Sequence, residues 1–187
     1  MALACKDGHV QILGIDGEPL QEPLQHVLPD AKGFRPVVRT AISPTGRLLA
    51  SVGRDGRLVL WEGRAGRFTK RTSWMAHDGD VYQVRFDAIG KRLVTSGSDK
   101  SVTVWSLEGE VLHRFEAVGL CRDVAFLPGE RVLATSIGSQ MSAQLWYLDR
   151  DRLLEEARKG IRWALSPEQK ERFCQLLAPL PGASESR

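Results

Sequence analysis

Ala76-His77-Asp78-Gly79-Asp80-Val81, followed by Thr95-Ser96-Gly97-Ser98-Asp99-Lys100-Ser101-Val102-Thr103-Val104-Trp105, holds the pattern that organises the chain. The second segment has a run of small and apolar residues, a turn around Asp99, and an alternating run ending in tryptophan. Strand side chains alternate with period two, so this reads as a β-hairpin. The pattern recurs as S-V-G-R-D-G-R-L-V-L-W at 51–61 and S-I-G-S-Q-M-S-A-Q-L-W at 136–146. A weaker copy, L-A-C-K-D-G-H-V-Q-I-L, occupies 3–13.

The anchors Leu13, Trp61, Trp105 and Trp146 are spaced 48, 44 and 41 residues apart. Repeats of about 40–45 residues, each with a hairpin, are the period of β-propeller blades. Asp55-Gly56 and Asp7-Gly8 supply turns, because Asp and Gly tolerate the positive φ such turns need. Another strand precedes each hairpin. Its apolar residues step by three and then two: Val37, Thr40, Ile42; Val81, Val84, Phe86; Cys121, Val124, Phe126. A step of three in a period-two strand requires one extra residue, so each innermost strand is expected to carry a bulge. The bulges push Val38-Arg39, Tyr82-Gln83 and Arg122-Asp123 off the packed face and keep Cys121 in the core. Arg39, Tyr82, Gln83, Arg122 and Asp123 are therefore the expected partner contacts, since aromatic and Arg side chains dominate protein interfaces.

These residues resemble the WD-repeat β-propeller family over residues 1–148. In that family a His, a Ser or Thr, a turn Asp and a Trp form a hydrogen-bonded chain in each blade. The resemblance places this tetrad at His77, Thr95, Asp99 and Trp105. The preceding blade keeps Ser51, Asp55 and Trp61, with Gly33 where the His is expected. The following one keeps Ser136 and Trp146, with Gln140 for Asp and Ala117 for His. The leading copy keeps Asp7 alone. Buried polar groups are tolerated when each finds a partner, so the tetrad is read as structural rather than catalytic.

The expected fold is all-β: a partial propeller of about three and a half four-stranded blades at 1–148, then a two-helix tail at 149–187 with a disordered end. Fourteen strands are anticipated, with unpaired edges at the leading copy and at 142–148. Such edges favour pairing with other chains. The expectation is a C-terminal piece of a longer protein whose missing blades come in cis or trans, with two copies forming a ring as the alternative. In the tail, Leu153 and Leu154 lie on a helix ending at Gly160. Ser166-Pro167-Glu168-Gln169 carries N-cap and first-turn signals for a second. Leu153-Leu154 and Leu165-Ser166-Pro167-Glu168-Gln169 are similar to the segment after the propeller in bacterial NACHT or STAND-type WD-repeat proteins. That resemblance implies a bacterial, cytoplasmic signalling or defence context.

Composition narrows the function. Hydrophobic residues make up 42% and charged residues 26% of the 187, as in ordinary globular chains. No apolar run is long enough to span a membrane. Cys5, Cys121 and Cys174 form no close pair, which fits a reducing compartment. Gly90-Lys91 is followed by Arg92, so no phosphate loop is present, and His9, His26, His77 and His113 lack zinc spacing. No cofactor, metal or enzymatic activity is expected. Net charge is only +3, yet residues 32–71 carry ten basic side chains against Asp55 and Glu62. Two functions follow: a protein-interaction scaffold using the propeller's top face, or a basic docking module for nucleic acid or a phosphorylated ligand through 32–71.

Overall fold

The described residues hold fourteen strands: β1 (Ala2–Ala4), β2 (His9–Ile12), β3 (Leu24–Gln25), β4 (Val37–Ile42), β5 (Leu48–Gly53), β6 (Arg57–Arg64), β7 (Arg67–Met75), β8 (Val81–Phe86), β9 (Arg92–Gly97), β10 (Ser101–Ser106), β11 (Val111–Glu116), β12 (Cys121–Phe126), β13 (Val132–Ile137) and β14 (Ser142–Tyr147). The computed structural model describes residues 1–26, 36–129, 132–137, 142–149 and 154. The chain divides into two compact units, Met1–Leu148 and Asp149–Arg187. The tail helices read from the sequence lie outside the described residues, except Leu154, which is helical. No described helix is long and apolar enough to cross a membrane.

The strands form four antiparallel meanders, in the orders β1-β2-β3, β4-β5-β6-β7, β8-β9-β10-β11 and β12-β13-β14. Within the sheets, connections of two to five residues join consecutive strands and dictate this order, except between β2 and β3, where residues 13–23 intervene. Three hairpins use one device: Asp7, Asp55 and Asp99 each accept a hydrogen bond from the backbone N–H two residues on, at 3.0–3.1 Å. The next residue has positive φ, supplied by Gly8 (89°), Gly56 (79°) and, against preference, Lys100 (62°).

The sheets pack face to face. Val10, Ile12 and Leu24 meet Val37, Leu49, Val59 and Trp61. Ala50, Val52, Leu58 and Leu60 meet Val81, Val84, Leu93 and Trp105. Val94, Val102 and Val104 meet Cys121, Val124 and Leu133. The two central sheets are thus covered on both faces, which is why β5 is buried along its whole length and departs from simple apolar–polar alternation. Burial pushes the Cys121 thiol pKa up, consistent with a core residue.

The register slips between Val37 and Arg39, between Val81 and Gln83, and between Cys121 and Asp123. These are the three bulges anticipated from the three-then-two spacing. The extra residues are Val38, Tyr82 and Arg122.

Candidate functional site

Two sets of side chains carry candidate roles: the polar chains inside the sheets, and the residues beside the bulges. In the third sheet the Trp105 indole N–H donates to Thr95 Oγ1 at 2.9 Å. Thr95 Oγ1 lies 2.7 Å from His77 Nε2, and His77 Nδ1 lies 2.9 Å from Asp99 Oδ1. A carboxylate only accepts, so Nδ1 carries the proton and a neutral Nε2 accepts the threonine hydroxyl. The donors then run one way, from tryptophan through threonine and histidine to aspartate. Burial, the largest influence, lowers the His77 pKa, and the Asp99 charge only partly opposes it. Burial alone raises the Asp99 carboxyl, but hydrogen bonds from Ser101 and the interaction with His77 leave it below the usual value. Arg114 adds an ion pair to Asp99 at 3.2 Å.

The second sheet has the same four residue types, and here the expectation needs correcting. The imidazole comes from His26, not from the position of Gly33, which lies outside the described residues. His26 Nδ1 is 2.7 Å from Ser51 Oγ, which also accepts the Trp61 indole N–H at 2.8 Å. His26 Nε2 points to Asp55 Oδ1 at 3.5 Å, too long for a hydrogen bond. The ring is inserted by the opposite edge from His77, and the chain stops one link short. His26 precedes Ser51 by 25 residues, whereas His77 precedes Thr95 by 18. The longer connection hid it.

A second signal was legible. Gly53 and Gly97 stand two residues after Ser51 and Thr95. A Cβ at Gly97 would lie 2.4 Å from the His77 ring, and one at Gly53 would lie 3.2 Å from His26 Nε2. Each imidazole therefore packs against a glycine.

The fourth sheet requires another correction. Trp146 donates to Thr135 Oγ1 at 3.1 Å, not to Ser136. The β13–β14 connection is one residue longer than the β9–β10 connection, which moves the partner back by one place. Ser136 is exposed, and its Oγ accepts the Asp123 amide N–H at 3.1 Å. Ala117 is buried and offers no imidazole, while Gln140 lies outside the described residues. Asp7 is exposed, accepts the His9 N–H in its turn and lies 3.4 Å from the His9 imidazole.

The bulges gather the second set beside the turn ends of the hairpins, where Val81 pairs with Gly97. Arg39 and Arg122 are exposed, and Tyr82 is half-buried. The Arg122 guanidinium lies over the Tyr82 ring, 5.9 Å from its centre. Gln83 departs from expectation. It is buried, and its amide donates to Asp123 Oδ1 across to the next sheet at 2.8 Å. It ties neighbouring sheets together. Arg85, which the spacing did not single out, holds the same oxygen at 3.3 Å. The signal was present: Arg85 stands where the other inner strands have Ala41 and Ala125. Burial raises the Asp123 carboxyl, but Gln83 and Arg85 more than offset this and leave it below the usual value. Beside these residues, Arg39, Ile42, Gln83, Arg85 and Phe86 line a cleft of about 490 Å³ between β4 and β8. No group of His, Cys, Asp or Glu among the described residues is placed to hold a metal ion.

The family model of the WD domain, G-beta repeat, matches residues 24–62 and 68–106. Human WD repeat-containing protein 81 is 33% identical over 121 residues, covering 63% of this chain and 6% of that protein. Actin-interacting protein 1 of Drosophila melanogaster is 27% identical over 107 residues, covering 57% of this chain and 15% of that protein. The chain thus spans a small fraction of the length of these relatives. Among solved structures, a chain in the crystal structure of the mitotic checkpoint complex superposes with a TM-score of 0.66 at 17% identity, covering 79% of this chain and 44% of that one.

Proposed function

We propose that the chain is a non-catalytic docking module that binds a protein partner on the rim formed by its bulges, because residues 24–62 and 68–106 match the WD-repeat model, and WD-repeat proteins generally act as protein-interaction scaffolds. The observation that carries this reading is the alignment of three bulges on neighbouring inner strands. They present Arg39, Tyr82 and Arg122 beside the cleft, with Asp123 anchored behind them. Arginine and tyrosine combine apolar area with directional polar groups, the combination that concentrates binding energy. The polar chains hold the sheets in place and do not act on a ligand: His77 and Thr95 are buried and every partner in that chain is internal. The fold neighbour from the mitotic checkpoint complex is itself part of an assembly, in keeping with this role. The similarity of the tail segment supports placing the module in a larger cytoplasmic bacterial signalling or defence protein.

The test is affinity purification from source cells with wild type and with a Tyr82→Ala/Arg122→Ala double variant. The expected result is loss of the stoichiometric partner, by about tenfold or more, with an unchanged melting temperature. Equal recovery by both proteins would remove the rim from the reading.

A further inference from the structure

The outer strand of the second sheet presents a free edge. β7 is the longest strand, Arg67–Met75, and it ends its sheet with no strand beside it among the described residues. Its free edge already takes up amide groups. The Phe68 N–H donates to Gln21 Oε1 at 2.7 Å, and Gln21 Nε2 donates back to the Phe68 carbonyl at 3.2 Å. A side-chain amide thus occupies the edge as a neighbouring strand would. The register Gly63↔Phe68, Glu62↔Thr69, Trp61↔Lys70 is unbroken. Since hydrogen-bonding groups alternate sides along an antiparallel strand, Lys70 turns its N–H and C=O to the same outer side as Phe68.

β7 carries three basic residues and no acidic one; Arg71 pairs with Glu108 at 3.3 Å, and Glu22 lines the cleft at the start of the strand. Arg67 and Lys70 are exposed, lie on opposite faces of the strand, and have no acidic partner among the described residues. By contrast, β11, the corresponding strand of the next sheet, is shorter, and its one arginine, Arg114, is already paired with Asp99. At the start of β7, Pro19, Leu20, Pro23 and Phe68 border a cleft of about 620 Å³, with Gln21 across it. Leu20 is 51% exposed there.

We infer that the β7 edge binds an extended acidic segment of a partner protein by strand addition, with glutamates or aspartates at Arg67 and Lys70 and an apolar side chain in the cleft. Main-chain hydrogen bonds supply the affinity of such pairing, and side chains set its selectivity. Gln21 is a removable cap on that edge. This interface is independent of the rim.

The test uses the full chain and a short fluorescein-labelled peptide of alternating glutamate and valine, with the lysine–valine peptide as control. The glutamate peptide is expected to bind and to slow hydrogen exchange at the Lys70 amide. Arg67→Gln/Lys70→Gln should weaken it by about tenfold, because these charges set the complementarity. Gln21→Ala should tighten it by freeing the Phe68 groups, and this variant leaves the charges intact. Tyr82→Ala/Arg122→Ala should leave it unchanged. Equal binding of both peptides, no added protection at Lys70, or loss of binding in the rim variant would overturn the proposal. So would displacement of the peptide by a random DNA oligonucleotide with a steep salt slope, which would assign the basic strand to nucleic acid.

Discussion

His26 and His77 each meet a hydroxyl that accepts a tryptophan N–H, Ser51 in one chain and Thr95 in the other, over connections of different length. His26→Ala will leave the buried Ser51 hydroxyl with Trp61 alone, and His77→Ala will leave Thr95 with Trp105 alone, each costing on the order of 1–3 kcal/mol. Urea titration of both variants checks this. A His26→Ala curve that overlays wild type would mean its chain stabilises nothing. His77, Asp99 and Asp55 fix the acid limb. His77 folds with its pKa below 6.5, so its contribution is complete above pH 6.5 and drains away as pH falls toward the folded value. Asp99 and Asp55 fold with pKa values below 3.8, so their contributions hold above that value and vanish only in stronger acid. Burial opposes both carboxylates, and their hydrogen bonds prevail. The melting temperature should decline from pH 7 to pH 5, and the decline should be shallower in His77→Gln. A flat profile in wild type would contradict a buried neutral imidazole. The tetrad at His77 was legible because all four residues keep standard spacing. His26 and Thr135 were not, because one longer connection on each side shifts the counting while the tertiary hydrogen bonds keep the geometry.

At the scale of elements, the three hairpin turns built on Asp7, Asp55 and Asp99 show one rule with one exception. Gly8 and Gly56 take the positive φ after Asp, where Lys100 takes it with a side chain attached. Lys100 is exposed, and its backbone roles, donating to Gly97 and accepting from Ala117, survive any side-chain change. Lys100→Gly should therefore stabilise the protein by about 0.5–1 kcal/mol, in spite of the added freedom of the unfolded chain. The reverse holds at Gly97, whose absent Cβ makes room for the His77 ring. Gly97→Ala should cost about 1–3 kcal/mol through displacement of that ring. Thermal melts of the pair, read together, check both signs. A destabilised Lys100→Gly would show that the lysine stem contributes contacts outweighing the strain. The bulges belong to this scale too. The three-then-two spacing located them, but it did not reveal that Gln83 turns inward to Asp123 while Tyr82 turns to Arg122.

At the scale of the whole first unit, three apolar layers lie between four sheets, and the outer faces of the first and last sheets meet no other sheet among the described residues. Leu3 on β1 and Leu145 on β14 are 41% and 51% exposed. Exposed apolar side chains on strand surfaces favour association. The chain should show concentration-dependent mass in light scattering, and Leu3→Lys/Leu145→Lys should reduce it without lowering the melting temperature. A wild-type mass independent of concentration would show that these faces are already satisfied.

Local sequence is enough to set the strand-rich repeat, the hairpin turns, the inner-strand bulges and one complete polar chain. These depend on residues near one another, where turn chemistry and period-two patterning leave little choice. Tertiary structure alone decided which histidine fills the second sheet, that Thr135 rather than Ser136 meets Trp146, and that Gln83 and Arg85 converge on Asp123. It also decided that Gln21 caps the edge of β7 from 47 residues away. Such contacts join different sheets or span connections of variable length. Sheet packing sets them, and spacing along the chain carries no record of it.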